Sequence, residues 1–189
     1  MVAKKKKRNI DIIIQIDSRE QKTDYVRTIK IDSRRNKDGV KIIGTETVCV
    51  KPKGCKGIST GDVSYKWKYE DENEWTQSNL SIEIKRSTDL FGSIYVKKNR
   101  ERLFLEIDRA KNGKLDFWFL ITNNITEMNR KIEKIPKMFE SACMTHFTNF
   151  IRLNKYLSDS GFRESICTGN NIGWVIRRLV KQNAKKIKR

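Results

Sequence analysis

The sequence predicts an α/β fold around a mixed central sheet, and three observations carry that prediction. Ile10, Ile12, Ile14 and Ile16 alternate with Asp11, Ile13 and Gln15, the period of a β-strand. Residues 116–121 (DFWFLI) are almost wholly apolar over a short run, which suits a strand covered on both faces. Between and after such runs lie segments whose apolar residues recur every three or four positions, the helical period. The chain has 189 residues, within the roughly 100 to 200 of a single domain with a sizeable core. The expected organisation is a basic arm over residues 1–9, one domain over 10–181 and a basic tail over 182–189.

In chain order, five consecutive basic residues run from Lys4 to Arg8 and read as a disordered arm. Such an arm touches phosphates, serves as an import signal in a nucleated cell, or merely solubilises. The first strand ends in Asp17-Ser18-Arg19-Glu20, either a charged turn with a surface ion pair or a site at a strand's carboxyl end. Two short strands are expected over 40–43 and 47–50, near the Asp38-Gly39 and Lys53-Gly54 turns. Val63, Tyr65, Trp67 and Tyr69 then alternate with Ser64, Lys66 and Lys68, and Glu70-Asp71-Glu72-Asn73 turns the chain so that Trp75 starts back. This hairpin leads into a strand over 80–85. Its aromatic row is either a base-stacking platform or, by preference, cross-strand packing.

Ser87, Thr88 and Asp89 can cap a helix that Asp89 opens, with Leu90, Ile94, Leu103, Ile107 and Ala110 on its apolar face and Gly113 at its end. Its opposite face carries Lys97, Lys98, Arg100, Arg102 and Arg109. Strand, helix and strand across 80–121 make a right-handed crossover by default. The most regular helical pattern follows, from Met128 to Leu157 through His146, with Pro136 predicting a kink. A short strand over 165–167 and a last helix with Ile172, Val175, Ile176, Leu179 and Val180 complete the pattern. The last nine residues hold five Lys or Arg and are expected to fray.

Composition narrows the partner. The formal charge of +18 concentrates polyanions by long-range attraction and counterion release, so nucleic acid is the expected partner. The blander alternatives are a merely soluble basic protein or one that binds anionic membrane. No run of about 18 apolar residues is present to span a bilayer, and the basic N-terminus lacks the apolar segment of a secretory signal. Cys49, Cys55, Cys143 and Cys167 show no paired spacing, so free thiols in a reducing compartment are expected. The expected localisation is cytoplasmic in a prokaryotic or virus-infected cell, or nuclear in a eukaryotic one. A zinc site from Cys49, Cys55, Cys143 and His146 is the weaker alternative to a packed His146.

The chemistry centres on the strand over 80–85. Leu80, Ile82 and Ile84 take one face, so Ser81, Glu83 and Lys85 emerge together on the other. A carboxylate and an ammonium side by side, with Asp62 upstream after Gly61, can hold a divalent metal and steady an attacking water. Taken alone, Glu83 and Lys85 read equally well as a surface ion pair.

Read together, Asp17-Ser18-Arg19-Glu20, Gly61-Asp62, Ile82-Glu83-Ile84-Lys85 and Asp89-Leu90 with Ser93-Ile94 resemble the nuclease domain of the XPF family of structure-specific endonucleases. The hallmark there is a Gly-Asp pair, then Glu-Arg-Lys, three residues and Asp. The stretch Asn99-Arg100-Glu101-Arg102 through Glu106 also resembles the Arg-rich helix of those domains. Ile84 departs from the pattern by replacing the middle Arg, leaving Arg86 nearby, and the spacing from Asp62 to Glu83 is long.

The resemblance implies a restriction-endonuclease-like α/β/α core that cuts duplex DNA near branches or flaps with Mg²⁺ or Mn²⁺. It implies Asp62 and Glu83 as metal ligands, with Asp17 beside them, and Lys85 as the group that orients the nucleophile or offsets developing charge. Asp17, Glu20 and Asp89 follow as further catalytic candidates, and Arg19, Arg86, Lys97, Lys98, Arg100 and Arg102 as DNA contacts. Members often pair through the nuclease domain, so a homodimer is an expected partner arrangement. Two alternatives stand beside this reading: a non-cleaving DNA-binding scaffold of the same fold, and a site-specific nicking nuclease of a phage or other mobile element.

Overall fold

The computed structural model describes residues 8–19, 26–49, 60–86, 89, 92–93, 96–122, 163–167 and 172–187, with the side chains of residues 86, 121, 122 and 163–167 left aside. Within them lie strands β1 (Ile10–Asp17), β2 (Val40–Val48), β3 (Val63–Tyr69), β4 (Thr76–Gln77), β5 (Leu80–Arg86), β6 (Asp116–Thr122) and β7 (Arg163–Cys167). Two helices accompany them, α1 (Lys97–Asn112) and α2 (Ile172–Ile187), with a single 3₁₀ turn at Val26–Thr28. Outside the described residues lie Glu20, the stretch around His146 and Cys143 for which the sequence predicts a kinked helix, Cys55, Leu90 and Ile94.

All seven strands join one mixed sheet in the order β2-β1-β3-β5-β6-β7, with β4 paired to β3 off this path. β1 runs parallel to β2 and antiparallel to β3; β5 runs antiparallel to β3 and parallel to β6. The hairpin and the crossover read from the sequence therefore meet at β5. β6 lies between β5 and β7, the interior position its apolar run requires.

The two faces of the sheet do different things. Ile10, Ile12, Ile14 and Ile16 of β1, Val63 and Tyr65 of β3, Leu80 and Ile82 of β5 and Leu120 of β6 share a core cluster with Ile172, Ile176, Leu179, Val180 and Ala184 of α2. Trp67 and Tyr69 pack against the same cluster, with ring centroids 5.3 Å apart in an edge contact, so the alternating aromatic row is packing. Because side chains alternate, Asp17, Glu83, Lys85, Phe117 and Phe119 fall on the opposite face. There α1 packs against β6 and buries Leu103, Ile107 and Ala110.

Four boundaries differ from the expectation, each for a local reason. Residues 40–48 form one strand: the register jumps from Ile12↔Ile42 to Ile13↔Gly44, so Ile43 is bulged out and the ladder continues past it. Helix α1 starts at Lys97, after Val96 in an extended conformation (φ −81°, ψ 118°) with no side-chain cap, and Asp89 sits in a separate helical stretch upstream. Helix α2 runs to Ile187 with Asn183 and Ala184 buried, so residues 182–187 belong to the helix: the buried stripe of Ile176, Leu179 and Val180 continues through them. At the N-terminus Arg8 bonds Asp71 (2.5 Å) and Glu72 (2.8 Å) and lies over the Tyr69 ring, while Asn9 bonds Glu70, so these two residues are tied to the turn after β3.

Candidate active site

Sheet register alone brings three acids into a row. Beyond Ile16↔Val63 the next antiparallel pair is Asp17 and Asp62, and the Asp17 N–H donates to the Asp62 carbonyl at 2.9 Å. Beyond Val63↔Ile82 the next pair is Asp62 and Glu83, and the Asp62 N–H donates to the Ile82 carbonyl at 2.8 Å. Residues 17, 62 and 83, far apart in sequence, thus stand side by side across β1, the approach to β3, and β5. All three are buried: Asp17 is 1%, Glu83 3% and Asp62 9% exposed.

Gly61 makes this approach practicable. Its φ of +81° is a conformation that L side chains rarely adopt, and a Cβ there would lie 2.3 Å from Ser81 Oγ. Ser81 Oγ is itself fixed by donating to the Thr60 carbonyl at 2.7 Å. The Gly-Asp pair is therefore a backbone requirement as well as a motif: the glycine lets the chain close on β5, and the aspartate is delivered beside Glu83.

Two cations answer the three acids. Arg19 Nε donates to Asp17 Oδ2 at 2.6 Å and its backbone N–H to Asp17 Oδ1 at 3.1 Å. The hydrogen bond to Asp17 raises the Arg19 pKa despite partial burial, with further attraction from Asp62 and Glu83. Lys85 pairs with the Glu83 carboxylate two residues back along the same strand face. Burial works to lower its pKa, but the charge and hydrogen bond of Glu83, with Asp62 and Glu106 behind them, outweigh that and hold it above the ordinary value. Three carboxylates against two cations leave the row with net negative charge.

These residues fit a hard divalent cation. Asp62 and Glu83 offer carboxylate oxygens from adjacent strands, and Asp17 extends the row. Among the described residues no three His, Cys, Asp or Glu side chains converge into a ready metal cage. A cation here would accordingly rest on one or two carboxylates, with water and substrate phosphate completing its shell, as is usual for Mg²⁺.

Beside the row lies a cavity of about 380 Å³ lined by Lys85, Asp89, Asn99, Arg102, Leu103 and Glu106. Asp89, Lys85 and Arg102 are thereby brought together. Lys97 and Lys98 are exposed and Arg100 is half-buried on the first turn of α1. Glu20 lies outside the described residues, as does the Arg86 side chain. Sequence reasoning missed Glu106 as a site residue. Its signal was present, since it follows Arg102 by four positions and so shares a helix face with it.

A mixed sheet with one acid at the end of β1, another midway along β5 and helices on both faces is a fold also found in solved XPF structures. The fold matches "XPF from Aeropyrum pernix" with a TM-score of 0.53 and 14% sequence identity, over 93% of this chain and 66% of that one. It matches "XPF from Aeropyrum pernix, complex with DNA" with a TM-score of 0.52 and 15% identity, over 92% of this chain and 66% of that one. The chain thus spans just under two thirds of the length of these structures. No family model and no curated protein matches the sequence.

Proposed function

We propose that this protein is a Mg²⁺- or Mn²⁺-dependent endonuclease that hydrolyses phosphodiester bonds in branched or flapped duplex DNA, as in recombination, repair or the processing of replication intermediates. The observation that carries the reading is the buried row Asp17, Asp62 and Glu83 with Lys85 beside it, on the sheet face that α1 covers. The solved DNA complex of the similar fold supports DNA as the substrate class.

Asp62 and Glu83 would hold the cation, with Asp17 adjacent. When bound, such an ion acidifies water, neutralises the scissile phosphate and stabilises the leaving oxygen. Lys85 has a raised pKa and stays protonated at neutral pH, so its role is that of a cation and hydrogen-bond donor. It would orient the attacking water or meet negative charge developing on the phosphate. Asp89 shares the cavity with Lys85 and Arg102 and would hold them in place. Arg19, 70% exposed beyond its bond to Asp17, and the basic residues Arg86, Lys97, Lys98, Arg100 and Arg102 would grip the phosphate backbone. Glu20 remains a candidate beside Arg19, and pairing of two copies through this domain remains part of the proposal.

The test is cleavage of labelled linear duplex, single strand, flap, fork and four-way junction with Mg²⁺ or Mn²⁺, comparing the wild type with Asp62→Ala and Lys85→Ala. Branch-selective, metal-requiring cutting that both substitutions abolish supports the proposal. Tight binding across the panel without cutting in either metal overturns the catalytic assignment.

A further inference from the structure

On the other side of the sheet from the acid row, α2 presents a second charged recess of about 390 Å³. It is lined by Asn36, Trp174 and four cations, Arg177, Arg178, Lys181 and Lys185. Helix α2 buries Ile176, Leu179, Val180 and Ala184 in the core, so the lining residues from 174 to 185 lie on its outward side, with Asn36 facing them from the turn before β2. Trp174 is 56% exposed, and the Arg178 guanidinium lies 5.3 Å from the centre of its ring.

The recess is held in shape from below. Asp32, 8% exposed in its side chain, pairs with Arg177 and, at 2.8 Å, with Lys181. Asp38 pairs with Lys185 at 2.6 Å. Asn36 Oδ1 accepts the backbone N–H groups of Asp38 (3.0 Å) and Val40 (2.9 Å), which fixes the turn that closes one side. Four cations are met by two carboxylates, so the recess keeps a surplus of positive charge. Next to it stands one large aromatic ring outside the hydrophobic core.

We propose that this recess binds a single-stranded nucleic acid segment, with an unpaired base stacked on Trp174 and phosphates on Arg178, Lys181 and Lys185. An exposed indole offers a π-face that an unpaired base can use and a base within a duplex cannot, and cations beside the ring follow the backbone. A lone aromatic among cations suits neither an apolar protein surface nor a second copy of this chain, which would bring like charges together. The site is separated from the acid row by the thickness of the sheet and does not depend on the nuclease reading.

The experiment uses the full chain with a chelator present, so that no strand is cut, and titrates it into labelled oligothymidylate of about 15 nucleotides. Fluorescence anisotropy and tryptophan quenching are followed. Trp174→Ala weakens binding by about tenfold, and Trp174→Phe restores most of it. Arg178→Ala with Lys185→Ala lowers the log–log salt slope by about 0.7 for each phosphate that is no longer neutralised. Affinity for linear duplex changes less than twofold in all of them. Unchanged oligothymidylate affinity in these variants overturns the proposal, as does an equal loss for duplex. So does a self-associating wild type that Trp174→Ala turns into a monomer without altering the affinity.

Discussion

Asp62 Oδ2 accepts a hydrogen bond from the backbone N–H of Ile84 at 2.7 Å, so the carboxylate is locked onto the residue between Glu83 and Lys85. Asp62 thus has a duty to the strand beside the one proposed for it in the chemistry, and substitution can separate them.

Asp62→Asn keeps an oxygen that accepts the Ile84 N–H but loses the charge. It is expected to keep thermal stability close to wild type while cleavage falls by about a hundredfold or more, since even groups one step removed from a metal cost ten- to a hundredfold. Asp62→Ala loses the acceptor too and is expected to lower stability by about 1 to 3 kcal/mol. Calorimetry and cleavage rates measured on the same preparations check both halves.

Lys85→Met leaves the Glu83 carboxylate, 3% exposed, without the ammonium it pairs with. The expected cost is about 1 to 3 kcal/mol, and adding Glu83→Gln should recover part of it. The pH dependence has a definite sign. A folded pKa above the ordinary lysine value contributes stability that is fully present below about pH 10.4 and is lost as pH rises through the folded value. Alkaline unfolding curves should therefore be flatter for Lys85→Met than for the wild type.

Asp32 governs the acid side. Burial works against its charge, yet donation from Lys181, the Ile42 N–H and Arg177 holds its carboxyl below the usual carboxylate range. Its contribution is present above about pH 3.9 and lost as pH falls through the lowered folded value. Asp32→Asn should cost roughly 2 kcal/mol at neutral pH and show a shallower loss of stability on acidification below about pH 3.9, measured by denaturant midpoints from about pH 7 downward.

Gly61→Ala must place a Cβ against Ser81 Oγ in a left-handed backbone. The expected cost is about 1 to 3 kcal/mol, accompanied by loss of cleavage through displacement of Asp62. Combining it with Ser81→Gly should return only the part due to the clash, because the backbone strain remains.

Tyr65 and Asn183 join the sheet to α2. The Tyr65 hydroxyl donates to Asn183 Oδ1 at 2.5 Å, and Asn183 Nδ2 donates to Asp116 at 2.9 Å. Tyr65→Phe is expected to cost about 1 kcal/mol and Asn183→Ala more, since it strands the Tyr65 hydroxyl and leaves Asp116 Oδ2 with Lys186 alone of these two donors. Thermal denaturation of the two single variants and the double checks the coupling.

The strands were legible where one rule acted alone. Alternation marked β1 and β3, and an unbroken apolar run marked β6. At the candidate site, order and residue type singled out Gly61-Asp62, Glu83 and Lys85, and the sheet brings Asp62, Glu83 and Lys85 together. What the sequence did not display was pairing. The hairpin into β5 was legible, but nothing local says that β3 also runs antiparallel to β1, and that pairing is what sets Asp17 next to Asp62. The bulge at Ile43 escaped because a bulge is a property of two strands. The end of α2 escaped because a run of Lys residues reads as solvated, while Asn183 within it is held by Tyr65, 118 positions away.

The acid row has a consequence for how the activity comes into being. No pair of strands assembles it: Asp17, Asp62 and Glu83 meet only when β1, the Gly61 approach and β5 have all docked in register. Because strand faces alternate, a slip of one residue between β1 and β3 would turn Asp17 away from Asp62. A partly folded chain, however basic and however firmly it clings to DNA, would lack the means to cut it. Hydrolysis would then serve as a readout of correct strand register, switched on late and all at once as the sheet closes.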